Sequence, residues 1–242
     1  MRRRLIITAA AAVAVVALAG GGAYVYFFSG LRSSPSALGL SATPSPAATG
    51  TPTPAATGSL AGKWTVTTGS LAGYRVKELF VGQTSKHEAV ARTSTVSGSL
   101  TVSGDSSGYQ VTAITFTAAL TDLHSVDSVA GRDVTQRDSF VSRQMNLQQF
   151  PDATFTASAG SVPATDGSGK VDVSAAGKLT IHGVTKDVTV TAQAQLTGGK
   201  IEIAGNLSID MTDYGVSPPS VPFTTVDSQV TIEFDLFLTR TA

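Results

Sequence analysis

Apolar and polar residues alternate along three segments in the last third of the chain, residues 188–196, 201–211 and 230–238. This side-chain period of two is typical of antiparallel strands that bury one face and leave the other polar. In the last segment the apolar face comprises Val230, Ile232, Phe234, Leu236 and Leu238, and the other face comprises Thr231, Glu233, Asp235 and Phe237. The chain is therefore expected to build a sheet with one apolar side.

Weaker versions of this pattern predict six more strands, at residues 63–68, 73–80, 95–103, 109–120, 153–161 and 171–181. Valine and threonine dominate these runs, and clusters of glycine, serine and aspartate separate many of them. Residues 127–150 lack the alternation and are expected to contain a helical turn or two. Many short strands with little helix predict a sandwich or a closed barrel, and the alternation alone does not choose between the two.

The first 32 residues are expected to form a membrane anchor. Residues 5–28 contain no charged side chain, and these 24 residues are enough to cross a hydrocarbon core of about 30 Å as a helix. Arg2, Arg3 and Arg4 precede the segment and predict a cytoplasmic N-terminus, with the remainder of the chain outside the cytoplasm. The alternative is a signal peptide cleaved after Ala19, which would yield a secreted protein.

Residues 33–61 are expected to form a disordered linker between the anchor and a single folded domain at residues 62–242. This segment contains no charged or aromatic residue and consists mostly of serine, threonine, proline, alanine and glycine. Such a composition buries too little apolar surface to offset the entropy lost on ordering. We expect the linker to hold the domain near the membrane without fixing its orientation.

Charge and composition exclude several kinds of site. From Gly62 onward, 13 lysine and arginine residues face 17 aspartate and glutamate residues, so the domain is mildly acidic and no nucleic-acid partner is expected. The chain has no cysteine, which excludes disulfides and thiolate chemistry. Its three histidines lack the spacing of metal ligands, and no nucleotide-binding motif or nucleophile motif occurs, so neither a metal nor a cofactor is expected.

Residues 177–188, with the sequence GKLTIHGVTKDV, resemble a segment of YceI-like proteins. Other features occur along the chain in the order that the family has: Trp64 in an opening strand, Leu123, Ser125 and Asp127, then the pair Arg137 and Asp138, residues 150–155 (FPDATF), and residues 211–216 (MTDYGV) before the last strand. The resemblance covers nearly all of residues 62–242. It implies an all-β fold, an antiparallel lipocalin-like β-barrel with a short helical insertion, whose elongated apolar cavity takes a polyisoprenoid or another long-chain amphipathic lipid.

Apolar side chains on the inner strand faces are the candidate ligand contacts. They could equally fill a packed core, because binding an alkyl chain requires apolar area and no diagnostic motif. The candidates are Tyr74, Val76, Phe116, Phe155, Leu179, Ile181, Ile203, Leu207, Ile209, Met211, Phe234 and Leu236.

Two charged residues, Glu78 and Arg137, are the polar candidates for the ligand site. Glu78 shares a strand face with Tyr74 and Phe80, where a carboxylate is costly unless it is paired. It is expected either at the cavity mouth or beside an arginine, or else in solvent at a bulge that breaks the alternation. Arg137 could bind a phosphate head group, or it could form a structural pair with Asp138.

These features predict a binding protein rather than an enzyme: an extracytoplasmic, membrane-tethered barrel that holds a polyisoprenoid or a similar lipid. Two alternatives remain open. The polar stretch at residues 122–138, which includes His124, could serve an enzyme acting on a lipid-like substrate, although it shows no complete catalytic set. A structural or adhesive surface domain with a filled core would have the same strands.

Overall fold

The computed structural model describes residues 32–41, 60–105, 108–163 and 169–241. The expected membrane segment, residues 5–28, and most of the expected linker lie outside these ranges. Within them, no helix is both long enough and apolar enough to cross a membrane.

Most of the described chain forms antiparallel strands. Short 3-10 helices follow β6 and β12, at Leu120–Asp122 and Met211–Tyr214. The strands are β1 (Arg32–Ser33), β2 (Gly62–Val66), β3 (Leu71–Phe80), β4 (His87–Thr93), β5 (Val96–Asp105), β6 (Gly108–Ala119), β7 (His124–Ser125), β8 (Ser128–Val129), β9 (Asp152–Gly160), β10 (Lys170–Ile181), β11 (Val184–Thr197), β12 (Lys200–Asp210), β13 (Ser220–Val221) and β14 (Thr224–Arg240), and the α-helix is α1 (Gln136–Gln144).

The long strands close into a barrel. Hydrogen bonding runs in the order β12–β11–β10–β9–β6–β5–β2–β14, and β14 also pairs with β12 to complete the ring. Two of these eight positions are each occupied by two strands in succession. β2 and β3 pair with different parts of β14, and on their other side β2 pairs with β5 while β3 pairs with β4. Eight strands give an interior just wide enough for side chains or one ligand. The architecture is thus the barrel and not the sandwich.

The nine strands predicted from the sequence all occur, with ends that differ by several residues. The helical turns expected within residues 127–150 are those of α1. β4 was not predicted, because it does not alternate: Ala89, Val90 and Ala91 are all buried, on both faces of the sheet. A strand that is covered on both sides carries no period-two signal.

Residues 34–41, here called the strap, lie against the outside of the barrel. The prediction of a disordered linker is therefore wrong for residues 33–41. The backbone N–H groups of Leu38 and Ser41 donate to Glu233 Oε2 (3.0 Å) and Glu202 Oε1 (2.6 Å), and β1, directly before the strap, pairs with β8. Backbone hydrogen bonds to carboxylates order this segment. Its composition, which is low in apolar residues, therefore gave no sign of that order.

The strap covers charged side chains on the polar face of β14 and its neighbours. Glu233 is only 1% exposed and accepts from Arg75 Nε (2.6 Å) and Arg92 Nε (2.9 Å). The same two arginines also donate to the strap, at the carbonyls of Pro35 and Ser36. The alternation predicted the polar character of this face but not its burial.

Two packed clusters of buried side chains stabilise the interior. Members of both clusters also line cavities, so the interior of the barrel is only partly filled. The larger cluster includes Trp64, Leu100, Ile114 and Leu238, and the smaller contains Leu179, Ile181 and Tyr214.

Candidate functional site

An apolar chamber of about 250 Å³ lies inside the barrel. Its wall is formed by the inward faces of β5, β6, β9, β10, β11, β12 and β14, whose side chains point inside at every second position. Seven of the predicted ligand contacts lie on this wall: Phe116, Phe155, Leu179, Ile203, Leu207, Phe234 and Leu236.

A second chamber of about 580 Å³ lies between the barrel strands and the helix, and is here called the α1 chamber. α1 contributes Arg137, Phe140 and Val141 to its wall. The other predicted site residues lie here: Tyr74, Val76, Glu78, Arg137, Ile181, Ile209 and Met211. Every candidate residue named from the sequence therefore lines one chamber or the other, while its contact with a ligand stays a prediction.

The two chambers meet at a junction of small side chains. Ala72, Ala118, Ala153 and Ile232 line both chambers. Three of these four residues are alanines, whose single methyl groups leave room between the opposite walls. The interior therefore holds two adjoining chambers, one almost wholly apolar and the other with charged groups on its wall.

Glu78 and Arg137, on the wall of the α1 chamber, form a hydrogen-bonded group with Asp127 and His87, here called the polar cluster. Arg137 in α1 donates to Glu78 Oε1 (2.7 Å) and to Asp127 Oδ1 (2.8 Å). Asp127 also lies 2.7 Å from His87 Nε2 and accepts from the Val90 backbone N–H (3.0 Å). Strand pairing brings Glu78 and His87 together, because they are direct partners in β3 and β4.

Asp127 and Arg137 of the polar cluster stay charged despite burial. Burial alone would raise the pKa of Asp127, but the hydrogen bonds from His87 and Arg137 outweigh it and lower that pKa to about 2. Burial alone would likewise lower the pKa of Arg137, and the bonds and charges of Asp127 and Glu78 raise it instead. Arg137 and Asp127 are therefore an ion pair across the ordinary pH range.

The structure decides between the interpretations of Glu78 and Arg137. Glu78 is 3% exposed and paired with Arg137, not solvated at a bulge. The expected pair between Arg137 and Asp138 is wrong, because Asp138 Oδ1 accepts from the backbone N–H and the hydroxyl of Ser125 (3.0 and 2.7 Å). The guanidinium of Arg137 faces two carboxylates, so it has no unbalanced positive charge to offer an anion.

Tyr74 offers a free polar group to the α1 chamber. Burial raises the pKa of its phenol, which stays neutral. Its hydroxyl makes no hydrogen bond with any residue in the described part of the chain. Its oxygen is not sealed off in the protein interior, so the hydroxyl can donate to an oxygen atom of a ligand in the chamber.

Glu78, His87 and Asp127 also bring three potential metal ligands within 4.8 Å of one another. Two of the three already bind the guanidinium of Arg137, whose positive charge takes the place a metal ion would need. The arrangement therefore fits an internal ion-pair network better than a metal site.

His87 and Asp127 are the members of the polar cluster that the sequence did not identify as site residues. His87 begins the strand that lacks alternation, and it is a single histidine without a ligand motif. Asp127 belongs to the set of residues that resembles the YceI-like family, which was the available signal for it. Their proximity depends on the pairing of β3 with β4 and on the path between β7 and β8.

Comparison with known families gives one match. A family model described as a YceI-like domain matches residues 64–238 of this chain. A search of curated protein sequences finds no match.

Solved structures with a similar fold include a polyisoprenoid binding domain from Saccharophagus degradans, which is implicated in plant cell wall breakdown. It is 16% identical, the TM-score is 0.51, and the match covers 75% of this chain and 99% of that chain. BcnA from Burkholderia cenocepacia is 20% identical with a TM-score of 0.44, over 68% of this chain and 95% of that chain. At such identities, the likeness to the first structure concerns the fold.

Proposed function

Because the chain belongs to the YceI-like family, we propose that it binds a polyisoprenoid or another long-chain amphiphile inside its barrel. The observation that carries this proposal is the pair of adjoining chambers, one apolar and the other with Glu78 and Arg137 of the polar cluster on its wall. Chambers of about 250 and 580 Å³ are comparable with the range of roughly 300–1,000 Å³ for small-molecule sites. A structural or adhesive domain would need no such space.

The two chambers suggest how the ligand lies. The apolar chamber takes the hydrocarbon tail, which gains about 0.8 kcal/mol for each methylene group removed from water. The α1 chamber takes the polar head group near Tyr74. The alanines at the junction, such as Ala118 and Ala153, let a thin chain pass from one chamber to the other.

The charges at the α1 chamber favour a neutral head group. Arg137 is neutralised by Glu78 and Asp127, and the second arginine on the wall, Arg132, is accompanied there by Asp133, so a phosphate would meet no excess of positive charge. The Tyr74 hydroxyl can instead donate to a carbonyl or hydroxyl oxygen. We therefore favour a polyisoprenoid alcohol or ketone over a diphosphate.

An enzyme acting on a lipid is less well supported. The stretch at residues 122–138 supplies Asp127, Arg137 and Asp138, but all three are engaged in ion pairs or in bonds to Ser125. His124 is exposed, and its Nδ1 lies 3.1 Å from the carbonyl of Asp122. It is not part of either chamber wall.

We further propose that the barrel is extracytoplasmic and tethered to a membrane. The support is the uncharged apolar segment at residues 5–28 with three arginines before it, which is the charge order of an anchor with a cytoplasmic N-terminus. Cleavage after Ala19 would instead give a secreted barrel. N-terminal sequencing of the mature protein separates the two, because a mature chain that starts at Gly20 would contradict the anchor.

Organic extraction and native mass spectrometry of the full-length protein test the binding proposal. We expect a co-purified lipid with a long hydrocarbon chain. Ala153→Phe places a ring at the junction of the chambers and should abolish that lipid. Thr156→Phe on the outward face of the same strand is the control and should retain it. A wild-type protein that carries no lipid and does not bind an added polyisoprenoid alcohol would refute the proposal.

A further inference from the structure

The α1 chamber is bordered by exposed apolar side chains. Phe140 of α1 is 41% exposed and Phe223, directly before β14, is 48% exposed, and both line the chamber. Val81 is 68% exposed and donates its backbone N–H to the Phe223 carbonyl (3.0 Å). These three residues are here called the apolar rim. Exposed apolar groups at the border of a cavity typically mark a surface that another apolar phase covers.

The described chain begins at the same end of the barrel. Arg32 pairs with Val129 of β8, and its guanidinium donates to Ser85 Oγ (3.0 Å). Ser85 lies in the connection between β3 and β4 that also contains Val81. Arg132, which forms a bridge with Val129, lines the α1 chamber. Arg32, the first described residue, therefore meets the barrel beside the apolar rim.

The distance from this point to the apolar segment is short. Residues 5–28 end four residues before Arg32. Four residues span at most about 14 Å even when fully extended. If residues 5–28 are anchored as proposed above, the tether to the barrel is these few residues and not a linker of about thirty.

We propose that the apolar rim is a membrane-docking surface, so that the α1 chamber opens toward the bilayer. This inference rests on the proposed membrane anchor. Charges around the rim are mixed. Arg143 lies over the ring of Phe140 (4.9 Å), Arg132 and Asp133 both line the chamber, and Lys86, in the connection that carries Val81, pairs with Asp227 (2.7 Å). Apolar contact, rather than attraction to anionic lipids, therefore drives docking. A lipid ligand passes between the bilayer and the chamber without entering water.

The absence of cysteine from the chain allows a direct test. A single bimane label is attached at Thr84→Cys, in the connection that carries Val81, or at Lys200→Cys, at the start of β12. Phe80 pairs with Thr224 and Ile201 pairs with Leu238, so the two labels lie near opposite ends of β14. Allowing for the bulge between Val226 and Val230, Thr224 and Leu238 are roughly 40 Å apart along the strand. The full-length protein is reconstituted into phosphatidylcholine vesicles that contain nitroxide-labelled lipid.

We expect several-fold stronger quenching of the label at residue 84 than of the label at residue 200. Adding Val81→Asp should reduce quenching at residue 84 while the protein still floats with the vesicles. Thr197→Asp, exposed near the far end, is the matched control and should change nothing.

Equal quenching at both positions in a protein that floats would overturn the docking inference and leave the anchor intact. A protein that fails to float after alkaline washing would overturn the anchor and the docking surface together. Neither result bears on ligand binding in the cavity, which the lipid extraction tests separately.

Discussion

Two glycines in the segment at residues 177–188 are required by close contacts. A Cβ atom on Gly177 would lie 2.3 Å from the Thr156 carbonyl oxygen and 2.8 Å from the ring of Phe155. Gly183 has a φ of +75°, and a Cβ atom there would lie 2.5 Å from the ring of Phe150. Because Phe155 also lines the apolar chamber, Gly177 helps to set the shape of the cavity.

Glu78→Gln is expected to lower the free energy of unfolding by about 2 kcal/mol. The amide keeps the shape of the side chain but removes one of the two negative charges that the buried Arg137 requires. Urea denaturation of the full-length protein measures the change. Glu88→Gln is the control, because Glu88 is 30% exposed and its ion pairs are screened by water. Equal losses in the two variants would contradict the importance of the polar cluster.

Asp235→Asn is expected to stabilise the protein at pH 7. Burial, and then the charge of Glu202, raise the pKa of Asp235 from 3.8 to about 6. The folded state therefore holds this proton more tightly than the unfolded state, so the stability contributed by Asp235 falls as the pH rises from about 4 to 6. The variant should gain on the order of 1–2 kcal/mol at pH 7 and lose that pH dependence. An unchanged slope between pH 4 and 6 would contradict the assignment.

The stability contributed by Asp127 changes with pH in the opposite direction from that of Asp235, and it does so at lower pH. Its pKa is lowered to about 2, so its stabilising contribution is complete above its ordinary value of 3.8 and is lost as the pH falls toward 2. Asp127→Asn should therefore weaken the fold at pH 7 but have little effect near pH 2. Unfolding curves recorded from pH 2 to pH 7 test this. A constant loss at every pH would point to a change in packing instead of a lost charge.

At the residue scale, the sequence predicted the apolar wall better than the polar cluster. Phe234 and Ile203 could be assigned to the inward face from the alternation, because a side-chain period of two separates the two faces within each strand. The partner of Arg137 could not be predicted in this way. Glu78 is 59 residues away, and the two side chains meet only because of how α1 packs on the barrel. The neighbour in sequence, Asp138, was the wrong choice for that reason.

At the scale of elements, strands that are apolar on one face could be predicted from the sequence. A strand buried on both faces and a segment ordered by hydrogen bonds to the barrel could not. β14 alternates, so a strand with one apolar face could be predicted there from the sequence. β4 is covered on both faces and gave no period. The strap is held by hydrogen bonds to the charged groups of Glu233 and Glu202, a mechanism that composition does not reveal.

Leu38→Pro is expected to destabilise the strap. It removes the N–H group that donates to Glu233 Oε2, so the buried carboxylate loses one of its hydrogen bonds, at a cost of about 1–2 kcal/mol. Hydrogen exchange of the strap and the urea midpoint both measure the effect. Ala37→Pro is the matched control, because Ala37 is exposed and its N–H has no partner among the described residues. Equal effects of the two prolines would show that the bond to Glu233 is unimportant.

At the scale of the whole molecule, the family resemblance implied both the barrel and a cavity, whereas the strand pattern alone predicted neither the closure of the sheet nor open space inside it. The same inward residues could have met in a packed core. Small residues such as Ala118, Ala153 and Ala192 leave the space open, but alanine is also common in tightly packed strands. Whether opposite walls touch depends on the width of the closed ring, which no single strand determines.

Two chambers in series predict a limit on ligand length. Affinity for a series of n-alkyl alcohols should rise by about 0.8 kcal/mol per methylene until the apolar chamber is full, and then level off. Ala194→Phe places a ring in the apolar chamber beside Ile203, so the plateau should come at a shorter chain while short alcohols bind as before. Displacement of a fluorescent fatty-chain probe measures each affinity, and Gln193→Phe, on the exposed face of the same strand, is the control. A plateau at the same length in both variants would mean that the tail lies elsewhere, whereas a shift confined to Ala194→Phe would place the end of the tail in the apolar chamber.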